Sequence, residues 1–217
     1  MTAGMWMTKA VVTISPETNL LAAAALMTQR RIRRLPVIEQ HSTSTRLVGM
    51  LSAGDILRAC GPEVNPFAVE VPENARTTIA ISTIMARNLF TTSAEAPIED
   101  AAKLMRDKKV GGLPVLHDLT LAGLITESDI FRAFVSLFST HEPGVRITFD
   151  MSEGEDVFGL VSQAARRRKV RVVSLISAHQ DDRPVCVVRL TGAGLDEVLD
   201  EIWSSGHRVL NVLRFPV

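Results

Sequence analysis

The chain has 217 residues, enough for one large domain or two to three small ones, and 46% of them are hydrophobic against 22% charged, so a packed core is expected rather than wholesale disorder. Lys plus Arg and Asp plus Glu both number 24, and a formal net charge of +0 gives no global pull on nucleic acid or an anionic membrane. The longest near-apolar run, Leu20 to Met27, is too short to span a bilayer. The amino terminus lacks a basic region followed by a long apolar core, so no secretory signal is expected. Cys60 and Cys186 have no metal-ligand spacing and read as reduced thiols of a cytoplasmic protein.

In chain order, the β-branched run Val11-Val12-Thr13-Ile14 predicts a strand that Ser15-Pro16 breaks. Leu20, Ala23, Ala24 and Met27 recur at helical spacing between Asn19 and Arg30. Leu35-Pro36-Val37-Ile38 predicts a second strand, followed by a polar loop from Gln40 to Arg46 and then Leu47-Val48. Next comes Gly49-Met50-Leu51-Ser52-Ala53-Gly54-Asp55, with a short helix to about Cys60. Residues 61–78, with Pro62, Pro66 and Pro72, read as a connector.

The pattern then repeats. Ile84-Met85 and Leu89 to Thr92 mirror Trp6-Met7 and Val11 to Ile14. Ala101, Leu104 and Met105 mirror Ala23, Leu26 and Met27, and Leu113-Pro114-Val115 mirrors Leu35-Pro36-Val37, all at an offset of 78. Gly123-Leu124-Ile125-Thr126-Glu127-Ser128-Asp129 mirrors the first signature at an offset of 74, so the second copy has a loop four residues shorter. Register held across two strands, a helix and a turn marks an internal repeat.

Residues 144–217 follow another pattern. Val145, Ile147, Phe149 and Met151 alternate with polar residues, as in a half-buried strand. Val157, Leu160, Val161 and Ala164 mark a helix, and Val170 to Ile176 is rich in β-formers. Asp181-Asp182-Arg183-Pro184 turns the chain into Val185 to Val188. Leu195, Val198, Leu199 and Ile202 mark a second helix ended by Gly206, and Val209 to Leu213 is the last strand. This βαββαβ order predicts a ferredoxin-like unit.

In each signature the hydroxyl, Ser52 or Thr126, fits a helix N-cap, and Asp55 or Asp129 three positions on fits the first turn. One reading is a capping box. The other is a ligand site. A helix start favours phosphate, the hydroxyl donates to it, and an ionised aspartate accepts both hydroxyls of a diol. The residues alone thus point to a phosphorylated, diol-bearing ligand. Arg33-Arg34 precedes Leu35-Pro36, whereas Gly111-Gly112 precedes Leu113-Pro114. These arginines read as a solvated helix end that gives the first copy most of the available positive charge.

The repeat, with its Leu-Pro-Val and Gly-x-x-[Ser/Thr]-x-x-Asp motifs, resembles the cystathionine β-synthase (CBS) domain over about residues 5–138, and two in tandem resemble a Bateman module. The remainder resembles an ACT-type small-molecule domain through its element order, and the whole layout is similar to that of the AcuB-type acetoin-utilisation proteins. The resemblance implies an α/β (α+β) protein: CBS repeats of β-α-β-β-α order at 1–60 and 79–140, a connector at 61–78, and an ACT-like domain at 144–217. It also implies a regulatory sensor of an adenosyl nucleotide (AMP, ADP, ATP or S-adenosylmethionine), with no cofactor beyond that regulatory ligand. Adenine would rest near Thr13 and Thr91, and Arg34, Ser52, Asp55, Thr126 and Asp129 complete the expected site. Ligand would favour one arrangement of the two repeats, and the ACT-like unit would transmit or receive that bias. A homodimer and an unidentified regulated protein are the expected partners, with no nucleic acid and no membrane. The competing expectation is a homodimerisation scaffold that binds nothing.

Other features carry no site. Arg166-Arg167-Arg168-Lys169 ends a helix, where cations complement the dipole. His41, His117, His141, His179 and His207 are scattered, and no catalytic motif is recognisable, so no enzyme and no metal site are expected.

Overall fold

In the computed structural model, the structure describes residues 1–41, 44–60, 64–68, 79–138 and 142–216. The chain divides into two compact units, Met1–Ala133 and Phe134–Val217.

The first unit holds the two repeats. The first comprises α2 (Leu20–Arg30), β1 (Arg34–His41), β2 (Ser44–Ser52) and α3 (Ala53–Ala59), preceded by the short helix α1 (Ala3–Trp6). The second comprises a 3-10 turn at Ile81–Thr83, β3 (Thr92–Ser93), α4 (Ile98–Lys108), β4 (Gly112–His117), β5 (Thr120–Thr126) and α5 (Glu127–Phe138). Strands β1 and β2 pair antiparallel, as do β4 and β5, and β3 adds to β4 in parallel. Asn19 caps α2 by accepting the Leu21 N–H at 2.8 Å. Helix α4 starts at Pro97 without a side-chain cap, and Glu99 and Asp100 in its first turn complement the helix dipole instead.

Three expectations need revision. The polar stretch from Gln40 to Arg46 is not all loop but extends both strands, β1 to His41 and β2 from Ser44, with Gln40 opposite Thr45. Val11 to Ile14 does not form a regular strand: only Ile14 bridges, to Val37. The turn after it begins at once, with the Thr18 N–H bonded to Ser15 O and the Glu17 N–H to Ser15 Oγ. In the second repeat the strand is Thr92–Ser93 rather than Leu89 to Thr92. Most of the connector expected at 61–78 lies outside the described residues, as does His141.

The leading segment of each repeat folds onto the other repeat. Thr8 exchanges backbone hydrogen bonds with Leu124 on β5 at 2.9 and 3.0 Å, and Ala86 does the same with Met50 on β2 at 2.9 and 3.0 Å. Ala3 N–H donates to Ala96 O and Gly4 N–H to Ala94 O; the matching pairs are Ile81 to Thr18 and Ser82 to Pro16. The cores follow this exchange. Ile81 and Met85 are buried among Leu20, Met27, Leu35, Val37, Leu51 and Ile56. Ala3 is buried among Ile98, Met105, Leu113, Val115 and Ile125, with Trp6 and Met7 packed against that cluster. A fully buried aliphatic side chain such as Ile81 contributes about 1.5–3 kcal/mol, so each leading segment is a structural part of its neighbour's core.

The signature glycines follow from the exchange. A Cβ at Gly49 would collide with Met85 Sδ, and one at Gly123 with Met7 Sδ. Glycine is favoured because the leading methionine of the opposite repeat lies directly over it, so a larger residue has to push that methionine aside.

The second unit is β6 (Gly144–Asp150), α6 (Val157–Arg168), β7 (Arg171–Gln180), β8 (Arg183–Thr191), α7 (Leu195–Ser204) and β9 (Val209–Phe215). The strands run β7-β8-β6-β9, every neighbouring pair antiparallel, which is the ferredoxin-like arrangement expected. Val145, Ile147 and Phe149 alternate inward against Val157, Val161, Ala164, Val198 and Ile202 of the two helices. The β7–β8 hairpin closes with Gln180 opposite Arg183, and both loop residues, Asp181 and Asp182, have positive φ, as a tight primed turn requires. The basic run closes α6, and Arg167 pairs with Glu201 at 3.1 Å. Among the described residues no helix is long and apolar enough to cross a membrane, and no group of three or more metal-ligating side chains occurs.

Candidate functional site

The strand-to-helix turn after each signature is built the same way. In the first, Asp55 Oδ2 accepts the Ser52 N–H at 2.7 Å and the Ser52 hydroxyl at 2.6 Å, while Ser52 Oγ accepts the Asp55 N–H at 3.2 Å, a complete capping box. In the second, Asp129 Oδ2 accepts the Thr126 N–H at 2.9 Å and hydroxyl at 2.8 Å. The other oxygen of each carboxylate meets an arginine three residues on: Arg58 with Asp55, and Arg132 with Asp129 at 3.0 Å. These arginines escaped the sequence reading, although both signatures continue alike as Asp-Ile-x-Arg-Ala.

The two arginines have different surroundings. Arg132 also donates to the Trp6 carbonyl at 2.8 Å and lies 5.8 Å from the Trp6 ring centroid. Residue 84, the counterpart of Trp6, is isoleucine and offers no ring face to Arg58. Arg58 instead lines a cavity.

That cavity, about 380 Å³, is bounded by the first signature and by the leading and Gly-Gly segments of the second repeat. Ser52, Asp55 and Arg58 come from the signature turn, and Arg34 from the start of β1. Asn88, Leu89 and Phe90 follow the Ala86 crossing, and Lys109 to Gly112 enter β4. Met50, Leu51, Leu89, Phe90, Val110 and Pro114 supply apolar wall. The volume lies within the range of small-molecule sites. Its charged lining is Arg34, Arg58 and Lys109 against Asp55, a cationic excess suited to an anionic group.

Lys109 takes its place through an unusual helix end. It caps α4 in the left-handed region at φ 55°, as Arg31 caps α2 at φ 53°. Arg34 is partly buried and faces Glu127, at 3.8 Å. Burial is the main influence lowering its pKa; Glu127 opposes that and Arg33 reinforces it. An arginine so shifted is still cationic.

Of the residues singled out in the sequence, Arg34, Ser52 and Asp55 come together in this cavity. Thr126 and Asp129 form the matching turn of the other repeat and line neither described cavity. Thr13 lines a separate, more open groove of about 630 Å³, together with Glu17, Ile38 and Glu39. Its two acids would repel phosphate. Thr91 is half-buried beside β3 and lines neither cavity. Both cysteines are buried, and burial pushes each thiol up, away from the reactive thiolate.

A model of the CBS domain matches residues 3–61 and 81–136, more than half of the chain. Protein MJ1225 of Methanocaldococcus jannaschii is 30% identical over 139 residues, which cover 62% of this chain and 49% of that protein. A CBS domain-containing protein of Dictyostelium discoideum is 32% identical over 141 residues, covering 63% of this chain and 93% of the relative. This chain thus spans about half of the first relative and nearly all of the second. Among solved structures, the CBS domain pair of protein MJ0100 in complex with 5′-methylthioadenosine and S-adenosyl-L-methionine aligns with a TM-score of 0.51 at 25% identity, covering 62% of this chain and 95% of that one. The doubled signature, the exchanged leading segments and the family match agree, and the chain belongs to the CBS-domain family as a tandem pair.

Proposed function

We propose that this chain is a non-catalytic regulatory protein whose CBS pair senses a phosphate-bearing adenosyl ligand in the cavity at the first signature. The observation that carries the reading is the joining there of Ser52 and Asp55 with Arg34, Arg58 and Lys109 over an apolar wall. Adenine lies against the wall formed by Leu89, Phe90, Val110 and Pro114. The ribose diol meets Asp55 Oδ1 once Arg58 swings from it, while Oδ2 stays with Ser52. The freed Arg58, with Arg34 and Lys109, meets phosphate. The complex of MJ0100 with two adenosyl compounds supports the adenosyl part. The cationic lining favours phosphate over the positive sulfonium of S-adenosylmethionine. A ligand that binds two arrangements of the repeats unequally shifts their populations, which is the regulatory output.

The proposed organisation is CBS repeats at 1–60 and 79–140 around a connector at 61–78, and an ACT-type unit at 144–217 that binds a small molecule or dimerises. Thr13, Thr91, Thr126 and Asp129 then serve a second ligand position. The AcuB-type layout supports a cytoplasmic homodimer acting on a partner in acetoin utilisation. One observation favours the scaffold reading instead: both oxygens of Asp55 and of Asp129 already have protein partners, as a purely structural cap would.

Thermal unfolding and titration calorimetry with AMP, ADP, ATP, S-adenosylmethionine and 5′-methylthioadenosine separate the two readings. At about 100 times Kd, linkage adds roughly 2.7 kcal/mol, or several degrees in Tm. No shift and no heat with any of the five would leave the scaffold.

A further inference from the structure

Arg34 stands where the two repeats meet, and the second repeat leaves space for it. Gly112 occupies the matching position, and a Cβ there would lie 3.2 Å from Arg34 Cδ. A Cβ at Gly111 would collide with the Arg34 guanidinium and lie 2.7 Å from Glu127 Oε2. Arginines on both sides would overlap and repel, so a single guanidinium serves both halves. It lines the first cavity and also faces Glu127, at 3.8 Å. The Glu127 N–H donates to Gly111 O as the Ala53 N–H donates to Arg33 O, so Glu127 and Ala53 are equivalent positions. The first signature therefore has no acid at this place, and the second has one aimed at the shared arginine. At 3.8 Å the two heads are too far apart for a hydrogen bond, and the Glu127 side chain is 66% exposed. Such a pair is readily parted.

We propose that Glu127 is the counter-ion that a ligand phosphate displaces from Arg34, and that it thereby sets the charge selectivity of the cavity. The inference rests on the adenosyl-ligand reading given above. A phosphate in the cavity must outcompete Glu127 for Arg34, whereas a neutral nucleoside binds with the pair intact. The released carboxylate stays at the amino-terminal end of α5, where the helix dipole favours it, so its cost is confined to the lost pairing. Glu127 thus lowers affinity for weakly charged phosphate ligands and leaves affinity for the nucleoside alone.

The test titrates AMP and adenosine calorimetrically into the full chain and into Glu127→Gln, Arg34→Gln and the double variant. Glu127→Gln raises AMP affinity roughly two- to fivefold, the size of an exposed ion pair, and leaves adenosine unchanged. Arg34→Gln lowers AMP affinity, and adding Glu127→Gln in that background changes nothing. An unaltered ratio of AMP to adenosine affinity in Glu127→Gln overturns the inference while leaving the ligand reading in place. So does an equal gain in the Arg34→Gln background, which would reflect the general field rather than displacement from Arg34. Failure of the wild-type chain to bind either compound removes the ligand reading itself, and the inference with it.

Discussion

Replacing each signature aspartate with alanine separates what the two turns do. Asp129 is 6% exposed and accepts the Thr126 N–H and hydroxyl, with Arg132 on its other oxygen. Asp129→Ala removes a cap worth about 1 kcal/mol. Those cap bonds are charge-assisted and lie at a buried carboxylate, and losing them leaves the half-buried Thr126 N–H and hydroxyl without their partner, giving a loss of roughly 2–3 kcal/mol. Asp55 makes the same bonds but is half-buried, so Asp55→Ala loses the cap and less beyond it, roughly 1–2 kcal/mol. Trp6 packs against the core of the second repeat, while Trp203 is exposed on α7 in the other unit. In a Trp203→Phe background, guanidinium unfolding followed by tryptophan fluorescence reads the first unit alone. The expected order is wild type, then Asp55→Ala, then Asp129→Ala, with AMP affinity at the first cavity falling for Asp55→Ala and unchanged for Asp129→Ala at a temperature where all are folded. An Asp129→Ala loss no larger than that of Asp55→Ala refutes the energetic argument. Equal AMP affinity in wild type and Asp55→Ala refutes the assignment of the ribose.

Two further outcomes follow from the packing and the charges. Gly123→Ala costs about 1–3 kcal/mol, because its Cβ meets Met7 and lies 3.0 Å from the Thr8 carbonyl; Gly49→Ala costs less, since the Ala86 carbonyl is 3.3 Å away and the flexible Met85 gives way, and chemical denaturation of both variants checks the order. The Ser152 hydroxyl and then its N–H hold the Asp150 carboxyl below its usual value, against burial and aided by Arg208 and Arg183. A depressed carboxylate contributes stability above its unfolded value of about 3.9, and this is lost as the pH falls through the folded value, so Asp150→Asn flattens the acid limb of stability measured between neutral pH and about pH 3.

The repeat, its register and the ferredoxin-like order were legible because each is a local pattern of apolar spacing, proline and turn residues. The exchange of leading segments was not. The Thr8–Leu124 and Met50–Ala86 bonds join residues far apart in sequence, and an isolated backbone bridge leaves no side-chain periodicity. Its trace was the glycine of each signature, whose need for space becomes evident only with Met7 and Met85 in place. Within the site, the hydroxyl and aspartate were readable from the capping pattern. Arg58 and Arg132 stand in the shared Asp-Ile-x-Arg-Ala run, but their link to the aspartates is a helical i,i+3 contact that the motif alone does not mark. The asymmetry between Ala53 and Glu127 fell in positions read as variable, and its meaning depends on how far Arg34 reaches across the pair.

The crystal structure of the full chain grown with AMP tests the central claim most directly. The account predicts adenine against Leu89 and Phe90, the ribose hydroxyls on Asp55, Arg58 turned away from that carboxylate, and the phosphate among Arg34, Arg58 and Lys109. AMP bound only at Thr126 and Asp129, or a first cavity that stays empty at saturating AMP with Arg58 still on Asp55, would contradict it.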